Sequence, residues 1–132
     1  MFLPGLNKLF EPAKTKFYHQ IDLSDLPFTD FTYWLGIIGE LSVGVALVAL
    51  VLIQKRLPTA TRNRAFYFFH FVTLFILAVA FYVHLHPNVP AEYLPLAKPP
   101  IFPTPYVIIA CVNCYLYYKN GKQHSTQTEE LL

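Results

Sequence analysis

The sequence predicts an all-α integral membrane protein, an up-and-down helical bundle, and three observations carry that prediction. Of the 132 residues 55% are hydrophobic and only 14% charged, and the mean hydropathy is +0.39, a balance that suits lipid better than water. The apolar residues gather into three long runs, 34–53, 65–85 and 101–118, each able to cross a ~30 Å hydrocarbon layer at ~1.5 Å per residue. These runs are apolar all round, where a helix of a soluble domain would show one apolar stripe and a polar opposite face. The length allows one domain, 1–132. A formal net charge of +2, spread over short clusters, argues against a nucleic-acid partner and leaves the lipid bilayer as the expected surroundings.

The chain opens with MFLPGLNKLFEPAKTKF, which reads as the last turns of a helix over 1–10 followed by a basic and polar linker. An earlier helix would have to end near Phe10, so this stretch is expected to be the second half of a fourth helix. It lacks the n-region, apolar core and small-residue cleavage site of a signal peptide. Residues 15–32 carry Asp22, Asp25 and Asp30, and SDLPFTD reads as an interfacial turn leading into the first full span. That span, WLGIIGELSVGVALVALVLI, contains one charged residue, Glu40.

The connection 54–64 holds Lys55, Arg56, Arg62 and Arg64 with no acid, whereas 87–100 holds only Glu92 and Lys98. Basic residues are retained on the cytoplasmic side, so the first connection is expected inside and the second outside. The second span, 65–85, has no formal charge; His70 and His84 are its titratable polar groups apart from tyrosines. The third, 101–118, begins near Pro103 and Pro105, which a helix start tolerates, and closes on tyrosines suited to headgroup depth. Lys119 and Lys122 follow it, so the C-terminus is expected in the cytoplasm, with disorder over 120–132.

Glu40 is the most informative single residue. A carboxylate at the centre of a spanning helix costs about 3 kcal/mol on insertion scales, so it should face the bundle interior and be protonated or paired. Asn7, Lys8, His70 and Asn113 are the candidate partners. One reading makes Glu40 a proton acceptor or quinone contact; the other makes it a hydrogen-bonding group that fixes helix packing, and the second is the more common use of such acids. Gly36, Gly39 and Gly44 beside it suit close helix approach.

His70 and His84 are too far apart to share a metal, about 21 Å along one helix, and His84 and His86 point to different sides. No metal site is expected, and His84, His86, Glu92 and Lys98 are instead candidates for an outer-mouth site at which a quinone headgroup would sit. Cys111 and Cys114 form CVNC on one helix face. A redox pair would want a low thiol pKa and a position at the outer end of a helix, whereas these fall toward the inner half, which favours packing over thiol chemistry. Prolines 87, 90, 95, 99, 100 and 103 stiffen the outer connection into a brace or lid.

Three segments carry a family resemblance: GLNKLFEP at 5–12, GIIGELSVGVALV at 36–48 and HLHPNVPAEYLPLAKPPIFP at 84–103. Their order and spacing resemble the DoxX-like family of small membrane proteins through nearly the whole chain. The resemblance implies a four-helix membrane bundle, of which about three and a half helices are present. Gly5, Asn7 and Lys8 would mark the end of helix one, and Gly39, Glu40 and Gly44 fall on the pattern of helix two. The family holds a subunit of a thiosulfate:quinone oxidoreductase, membrane partners of redox enzymes and a receptor-assembly chaperone. Two functions therefore stand as expectations: a membrane subunit tied to quinone or thiol redox chemistry, with a membrane or redox protein as partner, and a non-catalytic assembly or scaffold protein.

Overall fold

A computed structural model of the chain describes residues 2–94, 101 and 103–129, with side chains described as far as Lys119. Its regular elements are five helices: α1 (Phe2–Asn7), α2 (Ala13–Asp22), α3 (Thr29–Ile53), α4 (Thr59–Leu85) and α5 (Pro103–Glu129), with 3₁₀ turns at Gln54–Arg56 and Ala91–Tyr93. There is no strand among the described residues.

Prolines set several of the boundaries. The residue before a proline is pushed out of the helical region, and Leu57 ahead of Pro58 is extended, at φ −89° and ψ 140°. That ends the α3 turn and lets Pro58 accept from the Arg62 amide as α4 starts. His86 ahead of Pro87 is extended in the same way and closes α4. Between α2 and α3 the chain turns on two residues with positive φ, Asp25 (55°) and Phe28 (54°). An aspartate tolerates that region, whereas a phenylalanine adopts it only where its surroundings hold it. Here the Thr32 hydroxyl donates to the Pro27 carbonyl at 2.6 Å, and Asp30 in the first turn suits the positive end of the helix dipole.

The helices begin earlier than the apolar runs suggest. Thr29–Tyr33 and Thr59–Arg64 add polar or basic first turns to α3 and α4. A hydropathy reading misses them because helix formation needs only the absence of breakers, not apolarity. α5 continues as helix as far as Glu129, past the end of its apolar run. With no proline after Pro105, each added residue extends an existing helix without a new nucleation cost. The opening stretch is shorter than expected, a helix of Phe2–Asn7 followed by a turn.

α3 and α4 are antiparallel neighbours, and α5 returns along α4 so that Tyr117 meets the start of α4 at Asn63 and Phe66. The buried apolar core sits at one end, where Phe17 and Ile21 of α2, Tyr33 and Ile37 of α3, Val83 of α4, and Val89 and Leu94 beyond it come together. The Gln20 amide donates to the Tyr93 carbonyl, and Asn88 donates to Asp25 at 3.3 Å, so the chain after α4 is clamped over α2.

Elsewhere the long helices turn apolar side chains outward: Leu35, Ile38, Val45, Val48 and Leu52 on α3, Phe68, Phe71 and Phe75 on α4, and Ile108, Ile109 and Leu116 on α5. Two segments, Thr29–Arg56 and Thr59–Leu85, are long and apolar enough to cross a membrane, and only about a quarter of each is buried within the chain, 28% and 22%. A core helix of a soluble domain would bury most of such a surface. α5 covers the third expected span but is less apolar, with Asn113 in its middle and a polar last third.

Candidate functional site

Close approach of α1 to α3 brings together an ion pair sheltered from water, Lys8 with Glu40. A Cβ on Gly5 would lie 3.0 Å from the Glu40 Cβ, and one on Gly44 would lie 2.6 Å from the Phe2 backbone nitrogen. Only hydrogen at those positions lets the two backbones come this near. α1 therefore runs back along α3 and delivers Lys8 to Glu40.

The Lys8 ammonium donates to Glu40 Oε1 at 2.5 Å, and the two side chains are 20% and 10% exposed. The ammonium also sits 3.9 Å from the centroid of the Phe17 ring, within cation–π range. Phe17 reaches that place because Gly36 offers no side chain: a Cβ there would meet the ring edge at 3.0 Å. Tyr33 packs on the far side, ring to ring at 5.5 Å. Low water access strengthens the attraction between the charges, and desolvation costs a comparable amount.

Three buried polar atoms on this pair and on residues near it lack a hydrogen-bond partner among the described residues: Glu40 Oε2, Tyr33 Oη and His84 Nε2. His84 Nδ1 lies 2.8 Å from the Ala80 carbonyl, and since a carbonyl only accepts, Nδ1 carries the proton and Nε2 of the neutral ring is an acceptor. His84 is also close enough to Lys8 to feel its charge.

Of the four residues expected around Glu40, the structure joins only Lys8 to it. Asn7 is exposed at the end of α1. His70 belongs to a different part of the bundle, where Nδ1 donates to the Phe66 carbonyl and the ring stacks on Phe66 at 4.0 Å. Asn113 is exposed on α5. The outer-mouth residues also separate: His84 is buried, His86 faces Asp25 at 3.5 Å, Glu92 is exposed, and Lys98 lies outside the described residues. Cys111 is exposed and Cys114 half-buried on α5, both free thiols. No three His, Cys, Asp or Glu side chains among the described residues cluster as metal ligands.

Sequence reasoning missed Phe17, Tyr33 and Asp25 as partners. Each meets its charged or polar neighbour across the fold, so no local spacing announces it. At the surface of the same end, the Tyr18 hydroxyl donates to Asp30 at 3.1 Å; the carboxylate beside it raises the phenol above its ordinary value of 10.0.

Comparison with known proteins finds no matching family model, no matching curated protein and no matching solved structure.

Proposed function

We propose that the chain is a multi-pass membrane protein of DoxX-like type that does no chemistry of its own and serves as an assembly or scaffold element for a partner in the same bilayer. The observation that carries this reading is the closed state of Glu40. Its charge is spent on Lys8 within the chain, so the residue best placed for proton or quinone chemistry works as a clamp between α1 and α3. The other candidate groups are similarly occupied or dispersed, while long apolar faces on α3, α4 and α5 stay uncovered. Those faces suit lipid and neighbouring helices, where packing and interhelical hydrogen bonds drive association.

In this reading α3, α4 and α5 cross the bilayer and α1 packs along α3. The basic connection 54–64 and the C-terminus face the cytoplasm, and the α2 cap with the chain after α4 faces outward.

A quinone-linked role is the second reading, and one observation favours it: Glu40 Oε2, Tyr33 Oη and His84 Nε2 are all buried without partners among the described residues, and buried polar groups normally have them. One experiment separates the two. The chain is extracted from membranes in mild detergent as native protein and as Glu40→Gln, and organic extracts are assayed for quinone alongside pull-down of membrane proteins by the native chain. Quinone in the native sample that is lost from Glu40→Gln supports the redox reading. Quinone-free protein that holds the same stoichiometric partner supports the scaffold.

A further inference from the structure

At the opposite end of the bundle from the Lys8–Glu40 pair, three helices leave a cleft of about 380 Å³. Each contributes one face: Leu47, Leu50 and Val51 from α3 with Gln54 just after it, Arg62, Phe66 and His70 from α4, and Asn113, Leu116 and Tyr117 from α5. The spacing from Arg62 to His70 makes the cleft about 12 Å long at ~1.5 Å per residue. Arg62 and Gln54 stand at its mouth and aliphatic and aromatic side chains form the walls. Phe66 and Tyr117 stack at 3.9 Å and 10°, and the Tyr117 hydroxyl donates to Asn63 at 2.5 Å, so that wall is rigid before anything binds.

Arg62 Nε is shut away from solvent and has no acceptor among the described residues. A guanidinium is permanently charged and five-fold a donor, so an unmet buried N–H on it asks for an anionic oxygen. No acid lies between 54 and 64 to supply one, and Lys55, Arg56 and Arg64 add positive charge around the mouth. Behind the charge the walls are apolar. A charged head and an apolar body, entering from the side, describe a lipid.

We propose that this cleft is a binding site for an anionic phospholipid of the surrounding bilayer, with the phosphate at Arg62 and one acyl chain lying along Leu50, Val51, Phe66 and Leu116. The site lies at the basic end, where anionic lipids of a cytoplasmic leaflet meet juxtamembrane cations. It rests on the bilayer placement proposed above, and the two fail differently.

The test is native mass spectrometry of the full chain in neutral detergent, titrated with dioleoyl phosphatidylglycerol or with dioleoylglycerol, which has the same chains and no phosphate. The expected result is one retained phosphatidylglycerol per chain, bound about tenfold more tightly than dioleoylglycerol, as one charge-assisted contact would give. Arg62→Gln should remove that preference, whereas Arg64→Gln, which alters an exposed neighbour, should keep it. Leu116→Trp should fill the cleft and weaken both lipids, and an unchanged circular dichroism melt keeps the variants comparable. Equal binding of the two lipids, or equal effects of Arg62→Gln and Arg64→Gln, overturns the site. So does a dimer that Leu116→Trp abolishes with no lipid retained, since the cleft would then hold a second copy. Release of the chain from membranes by alkaline carbonate overturns the bilayer placement itself.

Discussion

Removing either charge of the Lys8–Glu40 pair should cost far more than removing both. Glu40→Gln leaves an ammonium that is 20% exposed with a neutral amide oxygen and the Phe17 face in place of its counter-charge, and Lys8→Met leaves a carboxylate that is 10% exposed with no cation. Breaking a buried pair from one side costs about 3–5 kcal/mol; the partial exposure of Lys8, which can turn its head toward water, brings the expectation for Glu40→Gln to about 2–3 kcal/mol. The double replacement Lys8→Met with Glu40→Leu removes both desolvation costs and should stay within about 1 kcal/mol of the native chain. The two single losses then sum to about 5–8 kcal/mol against about 1 kcal/mol for the double replacement, a departure from additivity of about 4–7 kcal/mol, beyond what most contacting residues show. Because α1 is one short helix, part of the loss should appear as local opening, so hydrogen exchange is the primary assay. In Glu40→Gln, amides of residues 2–12 should exchange about 30-fold faster, as 2 kcal/mol requires, and the thermal midpoint in detergent should fall by about 6–10 °C. Additive losses in the double variant, or native exchange over 2–12 in Glu40→Gln, would refute the clamp.

Three further outcomes follow from the packing. Gly44→Ala places a methyl 2.6 Å from the Phe2 backbone, which no rotamer relieves, so it should displace α1 at a cost of about 1–3 kcal/mol and raise exchange over 2–12 in the same way. Cys111 is exposed on an apolar helix face; in intact membranes a charged maleimide should leave it unlabelled from either side and label it after denaturation in sodium dodecyl sulfate, and rapid labelling in membranes would remove α5 from the bilayer. Tyr18 has its phenol held up first by the hydrogen bond to Asp30 and then by that carboxylate's charge. A pKa raised in the folded chain contributes stability below the unfolded value and loses it as pH rises through the folded value. The Tyr18–Asp30 contact should therefore hold at neutral pH and release only above about pH 10, and Asp30→Asn should lower the Tyr18 titration midpoint measured by carbon-13 NMR of labelled tyrosine.

Helix content and the three long helices are legible in the sequence because apolarity along a run and the punctuation of Pro58 and Pro87 act locally. Which apolar runs exist, where basic residues flank them, and that a lone acid in a span needs a partner are all properties of the chain read in order. The sequence also held Lys8 among the partners of Glu40, but it held Asn7, His70 and Asn113 there equally. The choice depends on how closely two backbones pass, and that is decided by Gly5 meeting Glu40 and Gly44 meeting Phe2 across the fold. The same holds for His84 and His86, two positions apart in sequence yet divided between a buried carbonyl contact and Asp25. The cleft at Arg62 combines faces of three helices, none of which signals a site alone. Hydropathy and breakers act between neighbours in the chain and survive in one dimension; partner choice and cavities come from side-chain volumes meeting across helices, and only the tertiary packing sets those.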